Sequence, residues 1–144
     1  MKPLLLALLL LGTGPAFAQG VPGEPPFAEH RLVLQLSDAG DAKQSQVLGN
    51  AENVLAAYGQ DKVAIEVVAF GPGVDLLRDG NAHADLIHSL SLQGVTFDVC
   101  LNTVQTIERT TGRPYPLNPL AHRVQAGIVQ IMTLAEHGYV VVRP

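Results

Sequence analysis

The chain predicts an α/β fold, a three-layer sandwich in which a mostly parallel sheet is flanked by helices on both faces. Three observations carry this expectation. Short apolar runs rich in β-branched residues begin at Leu32, Val63, Val95 and Tyr139; stretches of helical periodicity lie between them; glycine or proline punctuates most junctions. Strands that alternate with helices are joined by crossovers, which make neighbouring strands parallel and are overwhelmingly right-handed.

The elements follow in order. Residues 32–36 form a short buried strand ended by Ser37-Asp38-Ala39-Gly40. Asp41 and Gln44 have the spacing of a capping box, and Val47, Leu48, Ala51, Val54, Leu55 and Tyr58 recur at helical spacing until Gly59. Residues 63–70 are nearly continuous in apolar side chains, as in a strand covered on both faces, and stop at Gly71-Pro72-Gly73. A less regular helical region holds Leu76, Leu77, Leu86, Ile87 and Leu90 and ends at Gly94, and residues 95–100 are a third strand. An irregular segment over 104–120 contains Gly112-Arg113-Pro114-Tyr115-Pro116. Asn118-Pro119 then reads as a helix start, with Val124, Ile128, Ile131, Leu134 and Ala135 on one face of a long helix reaching Gly138. Residues 139–142 are the last strand.

Ahead of this pattern stands a different composition. Met1-Lys2-Pro3, the apolar run Leu4-Leu5-Leu6-Ala7-Leu8-Leu9-Leu10-Leu11 and the small-residue ending Ala16-Phe17-Ala18 read as a secretory signal peptide over 1–18. The run is shorter than the roughly 20 residues that span a bilayer. The expectation is a periplasmic or secreted protein with no membrane association after cleavage. Residues 19–30, with Val21-Pro22-Gly23-Glu24-Pro25-Pro26, read as a flexible leader, and 31–144 as one domain.

Charge and motifs narrow the chemistry. A formal net charge of -4 without a basic stripe excludes nucleic acid as a natural partner. Phosphate-loop, dinucleotide, C-x-x-C and G-x-S-x-G motifs are missing, so nucleotide binding, thioredoxin-type redox chemistry and serine hydrolysis lose their support. No cofactor is expected. His83 and His88, five residues apart, do not stack on one helical face, and no metal is expected either. His122 is expected on the surface near the start of the long helix, and His137 in its last turn as a structural complement to the dipole. Glu108, Arg109 and Arg113 read as a solvated rim.

In open α/β sheets ligands bind beyond the carboxyl ends of the strands. Those ends hold Ser37 and Asp38, then Gly71, then Cys100-Leu101-Asn102-Thr103. Cys100 is the single cysteine and cannot form an intrachain disulfide. It is a reactive thiol, an intermolecular link, or a small hydrophobe that ends a strand. As a reactive thiol it is activated by backbone N–H groups at a helix start, with Asn102 and Thr103 supplying a donor and a hydroxyl for a persulfide, an oxyanion or a small polar ligand.

The run Val95-Thr96-Phe97-Asp98-Val99-Cys100-Leu101-Asn102-Thr103, the later Val124-Gln125-Ala126-Gly127-Ile128-Val129 and the ending Leu134-Ala135-Glu136-His137-Gly138-Tyr139 resemble the DsrE-like family (DsrE/DsrF-like, of YchN-type fold), in its exported stand-alone branch. The resemblance implies an α/β sandwich assembled as a homo-oligomer, with some relatives passing persulfide sulfur through a cysteine. Cys100 matches the cysteine after the third main strand. It implies sulfur handling in the periplasm, with a small sulfur compound or a sulfur-carrier protein as partner. The competing expectation is a non-catalytic oligomeric module that binds a small ligand, with Cys100 structural. The 47% hydrophobic composition also points to a covered apolar surface, expected at 104–120 through Ile107, Tyr115 and Leu117.

Overall fold

The computed structural model describes residues 23–144. The expected signal peptide and residues 19–22 of the expected leader lie outside them. The elements are β1 (His30–Leu36), α1 (Asp41–Tyr58), β2 (Val63–Ala69), a 3₁₀ helix (Gly71–Leu77), α2 (Ala84–Leu92), β3 (Val95–Cys100), α3 (Leu101–Thr111), β4 (His122–Val124), α4 (Gly127–Glu136) and β5 (Val140–Val142). The strands form one all-parallel sheet in the order β4-β3-β2-β1-β5.

That order divides the layers unequally. From β1 to β4 the chain steps three times in one direction, and right-handed crossovers then put α1, α2 and α3 on one face. The return from β4 to β5 runs the other way and lays α4, alone among the described helices, across the opposite face. Side-chain alternation follows. Leu34, Leu36, Ile65, Val67, Phe97 and Val99 enter the larger core with Leu48, Ile87 and Val104, whereas Val33, Ala64 and Val68 meet Ile131, Leu134 and Tyr139 in a smaller one. The three-layer α/β sandwich expected from the sequence is therefore present, with its sheet wholly parallel.

Four details differ from the expectations. Gln44 does not reach back to cap α1; its Nε2 donates to Ala39 O (3.0 Å) and Asp75 Oδ2 (3.1 Å), and Gly40 takes the cap position without a side-chain bond. The first part of the irregular segment is α3. Its threonines are poor helix formers, but Thr106, Thr110 and Thr111 return their hydroxyls to the carbonyls of Asn102, Thr106 and Ile107, each at 2.8 Å. Asn118 starts no helix. Its Oδ1 accepts Leu120 N–H (2.9 Å) in a turn that leads into β4, so His122 sits on an edge strand and the long helix begins only at Gly127. Ile107, Tyr115 and Leu117 pack on the larger core; the exposed apolar side chains include Ile128, Val129 and Met132 on α4 and all three valines of β5.

The described part of the expected leader lies against the fold. Ala28 N–H donates to Pro25 O (3.0 Å), Glu29 N–H to Lys62 O (2.8 Å), and Glu24 pairs with Arg31. Gly23, Glu24 and Pro25 border a small hollow with Glu66, Thr96 and Tyr139, at the end of the sheet face that α4 leaves open.

The 3₁₀ helix folds over the end of β1. A Cβ built on Gly73 would stand 2.3 Å from the carbonyl oxygen of Leu36 and 2.7 Å from its carbon, so only a residue without a side chain allows this approach. Gly73→Ala is expected to cost about 3 kcal/mol, the upper end of overpacking penalties, read as a lowered urea midpoint at unchanged slope.

Candidate functional site

Cys100 is both the last residue of β3 and the cap residue of α3. Its neighbour β4 carries the chain to α4 on the opposite face, so β3 and β4 are adjacent strands whose following helices diverge. This is the switch point at which open α/β sheets form a crevice. The starts of α3 and α4 converge on the thiol. A Cβ on Gly127 would lie 3.4 Å from Cys100 Cβ and 3.0 Å from Phe70 Cβ, and the absence of that atom lets the first turn of α4 settle onto the sulfur.

Burial alone would raise the thiol's pKa. The Thr103 hydroxyl and the backbone N–H groups of Gly127, Thr103 and Asn102 outweigh it and hold Cys100 below the ordinary cysteine value. Thr103 Oγ1 accepts Gly71 N–H at 3.0 Å, which leaves its own hydrogen for the sulfur. As a thiol, Cys100 has Gln125 O as acceptor at 3.9 Å. The residue is 6% exposed.

Next to it lies a groove of about 560 Å³ lined by Gly71, Pro72, Asn102, Thr103, Thr106 and Ile107. Three residues expected from the sequence, Gly71, Asn102 and Thr103, therefore meet, and Thr103 joins the groove to the thiol. Asn102 Oδ1 accepts Gln125 Nε2 at 2.6 Å, tying the start of α3 to the turn after β4. Ser37 borders this edge through its carbonyl, 4.0 Å from where a Gly71 Cβ would stand, and Asp38 is exposed outside the groove. Glu108 and Arg109 line a separate shallow groove with Asn102; Glu108 accepts Tyr115 N–H at 2.9 Å, and Arg113 is exposed. His83 pairs with Asp41 (2.9 Å), and His137 Nδ1 meets Thr133 O (2.7 Å) in the last turn of α4. Among the described residues no three His, Cys, Asp or Glu groups are placed to hold a metal ion.

Sequence reading missed the polar cluster on the same sheet face. Asp98 precedes Cys100 by two residues on β3 and is wholly buried; its Oδ1 lies 2.7 Å from His122 Nδ1, directly across on β4. Asp98 Oδ2 is buried without a conventional donor among the described residues, and the carboxyl of Glu66 from β2 stands beside it. Glu66, 6% exposed, accepts Gln130 Nε2 of α4 at 3.2 Å. Burial first, and then Asp98, push its pKa up to about 8, so the neutral carboxyl is favoured at neutral pH. The signal was a lone carboxylate inside each of two otherwise apolar strands, Val63-Ala64-Ile65-Glu66-Val67 and Phe97-Asp98-Val99.

No family model matches the chain. Over 117 residues, 80% of this chain, it is 32% identical to the bifunctional protein HldE of Streptomyces coelicolor, of which it spans only 22%. It is also similar to the solved structure of MTH1491, a protein of unknown function from Methanobacterium thermoautotrophicum, with 27% identity and a TM-score of 0.71 over 81% of this chain and all of that one.

Glu66 links stability to pH. Its folded pKa of about 8 exceeds the ordinary 4.5, so between these values the folded chain holds a proton that the unfolded chain has released. Stability from this group is complete below the lower value and declines as pH rises towards the upper one, by up to about 1.4 kcal/mol per pH unit. In Glu66→Gln that decline should vanish, which melting temperatures measured across this range will show; an unchanged slope would remove the assignment.

Proposed function

We propose that this is an exported sulfur-handling protein in which Cys100 carries a persulfide. The observation that carries the reading is the thiol's position between two helix starts and the Thr103 hydroxyl, where the thiolate is favoured beside an open groove. The Cys100 thiolate attacks the outer sulfur of a small persulfide, R–S–SH. A new sulfur–sulfur bond forms as the old one breaks, giving Cys100–S–SH and R–S⁻. No oxidant is consumed. The groove takes the R group, with Asn102 and Thr103 as its polar contacts and Gly71 as its wall; Ser37 and Asp38 belong to the outer approach. Export rests on the signal-peptide pattern of residues 1–18, and a sulfur-carrier protein is the macromolecular counterpart of the small donor.

The 6% exposure of Cys100 favours a second reading, an oligomeric module that binds a small ligand in the same groove with the cysteine only packing. Both readings include a homo-oligomer, with the exposed Ile128, Val129 and Met132 as the apolar surface for a second copy. A monomer in light scattering at micromolar concentration would overturn that part.

Two measurements separate the readings. Alkylation of the folded protein by iodoacetamide should titrate below an ordinary free cysteine, and Thr103→Val should slow it about tenfold at neutral pH through loss of one charge-assisted hydrogen bond. Incubation with a small alkyl persulfide should add one sulfur to the intact mass of the wild type and none to Cys100→Ser. A thiol inert in the folded state, with ligand binding intact in Cys100→Ser, would select the binding module.

A further inference from the structure

We propose that the groove beside Cys100 selects a persulfide donor whose R group is apolar and ends in a carboxylate, with the Asn102 amide as the specificity-determining contact and Gln125 as the residue that positions it; the proposal rests on the reading of Cys100 as a sulfur acceptor. Most polar atoms of the groove are already committed. Its lining is Gly71, Pro72, Asn102, Thr103, Thr106 and Ile107. Thr103 Oγ1 accepts Gly71 N–H at 3.0 Å and turns its own hydrogen to the Cys100 sulfur. Thr106 Oγ1 donates to Asn102 O at 2.8 Å and accepts Arg109 Nη2 at 3.1 Å. Both hydroxyl hydrogens are therefore spent, and the side chains of Pro72 and Ile107 offer only apolar surface. What is left to donate from a side chain is the amide of Asn102.

Gln125 decides which way that amide faces. Its carbonyl accepts Asn102 N–H at 3.1 Å, and its Nε2 donates to Asn102 Oδ1 at 2.6 Å. Two bonds between the same two residues close a ring that holds the Asn102 side chain. Because a carboxamide is planar, turning Oδ1 to Gln125 turns Nδ2 away from it, to the groove that Asn102 lines. The wall beside Thr103 thus presents amide N–H donors among apolar groups. A carbonyl or carboxylate oxygen satisfies them and an ammonium group does not. Charge decides between the two acceptors. Arg109 stands at the edge of the groove on Thr106, and its hydrogen bonds among the described residues go to neutral oxygens, Gln105 O at 3.4 Å and Thr106 Oγ1, whereas Arg31 and Arg78 are paired with Glu24 and Asp75. Its neighbour on α3, Glu108, is engaged by Tyr115 N–H. The chain as a whole carries a formal net charge of -4 and repels anions, so a preference for a carboxylate has to come from these local groups.

The test varies the R group at constant chain length. Carboxyethyl, propyl and aminoethyl persulfides are compared, together with the methanethiosulfonates that carry the same R groups. A persulfide adds one sulfur to Cys100 and releases R–S⁻; a thiosulfonate leaves R–S on Cys100 and releases methanesulfinate. Each rate is divided by that of the same reagent with a small free thiol, and each variant is compared with its own propyl rate, which cancels any change in the cysteine itself. In the wild type carboxyethyl should exceed propyl about tenfold, the worth of one charge-assisted hydrogen bond, and aminoethyl should fall below propyl. Gln125→Leu, which frees the amide to turn, should cut the carboxylate preference to about threefold or less. Asn102→Asp keeps an acceptor for Gln125 Nε2 but removes the donors, and should reverse the order in favour of aminoethyl. Arg109→Gln should reduce the preference without reversing it. Equal normalised rates for the three R groups in the wild type, or a preference left intact by both Gln125→Leu and Asn102→Asp, would overturn the proposal. If wild-type Cys100 takes no sulfur from any of the persulfides while the thiosulfonates keep the carboxylate preference, the sulfur-carrier reading falls and the groove assignment stands. If all three persulfides load Cys100 alike, the reading stands and the groove assignment falls.

Discussion

The handedness of strand crossovers governs this molecule more than any single contact. Three steps in one direction and one return, each made right-handed, leave α1, α2 and α3 on one face of the sheet and α4, alone among the described helices, on the other. The return begins beside β3, so the chain parts to opposite faces at neighbouring strand ends, and two helix starts meet at one point. Cys100 occupies it. A different strand order would separate the first turns of α3 and α4 and leave the thiol with only one of them.

The lone helix also decides what the covered face can hold. α4 does not cover the two carboxyl groups by itself. Instead the described end of the leader closes one side, His122 forms the other, and α4 contributes Gln130 between them. Glu66 and Asp98 are tolerated because one proton serves both and each remaining oxygen has a neighbour to share it with. The adjacent Tyr139 is shifted upward too, by burial first and then by the Glu66 charge, which marks this face as poor in water.

Much of the architecture was legible where packing and local preference agree. Residues 41–58 have regular apolar spacing and a terminating glycine, and α1 occupies that span; 95–100 is bounded by Gly94 and a change of pattern, and β3 occupies it. The elements that escaped are those in which tertiary context overrides sequence. α3 is threonine-rich and amphipathic only once its hydroxyls have turned back on its own carbonyls, and β4 has three residues, too few for any periodicity. The site divides in the same way. Gly71, Asn102 and Thr103 could be found because strand ends are local features. The association of Glu66, Asp98 and His122 required the register of three strands, and with β4 read as helix that register did not exist.

Because α4 follows β1 and β2 in the chain, Val33, Ala64 and Val68 are synthesised well before the helix that shields them. The larger core can assemble from local β–α units in order of synthesis, but the smaller one waits. During that interval the nascent chain shows a sheet with one finished side and one bare, apolar side that contains two carboxyl groups. Such an intermediate is at once sticky and unfinished. A fold whose second face closes last therefore leaves its apolar side open to association for longer than one assembled from local β–α units alone.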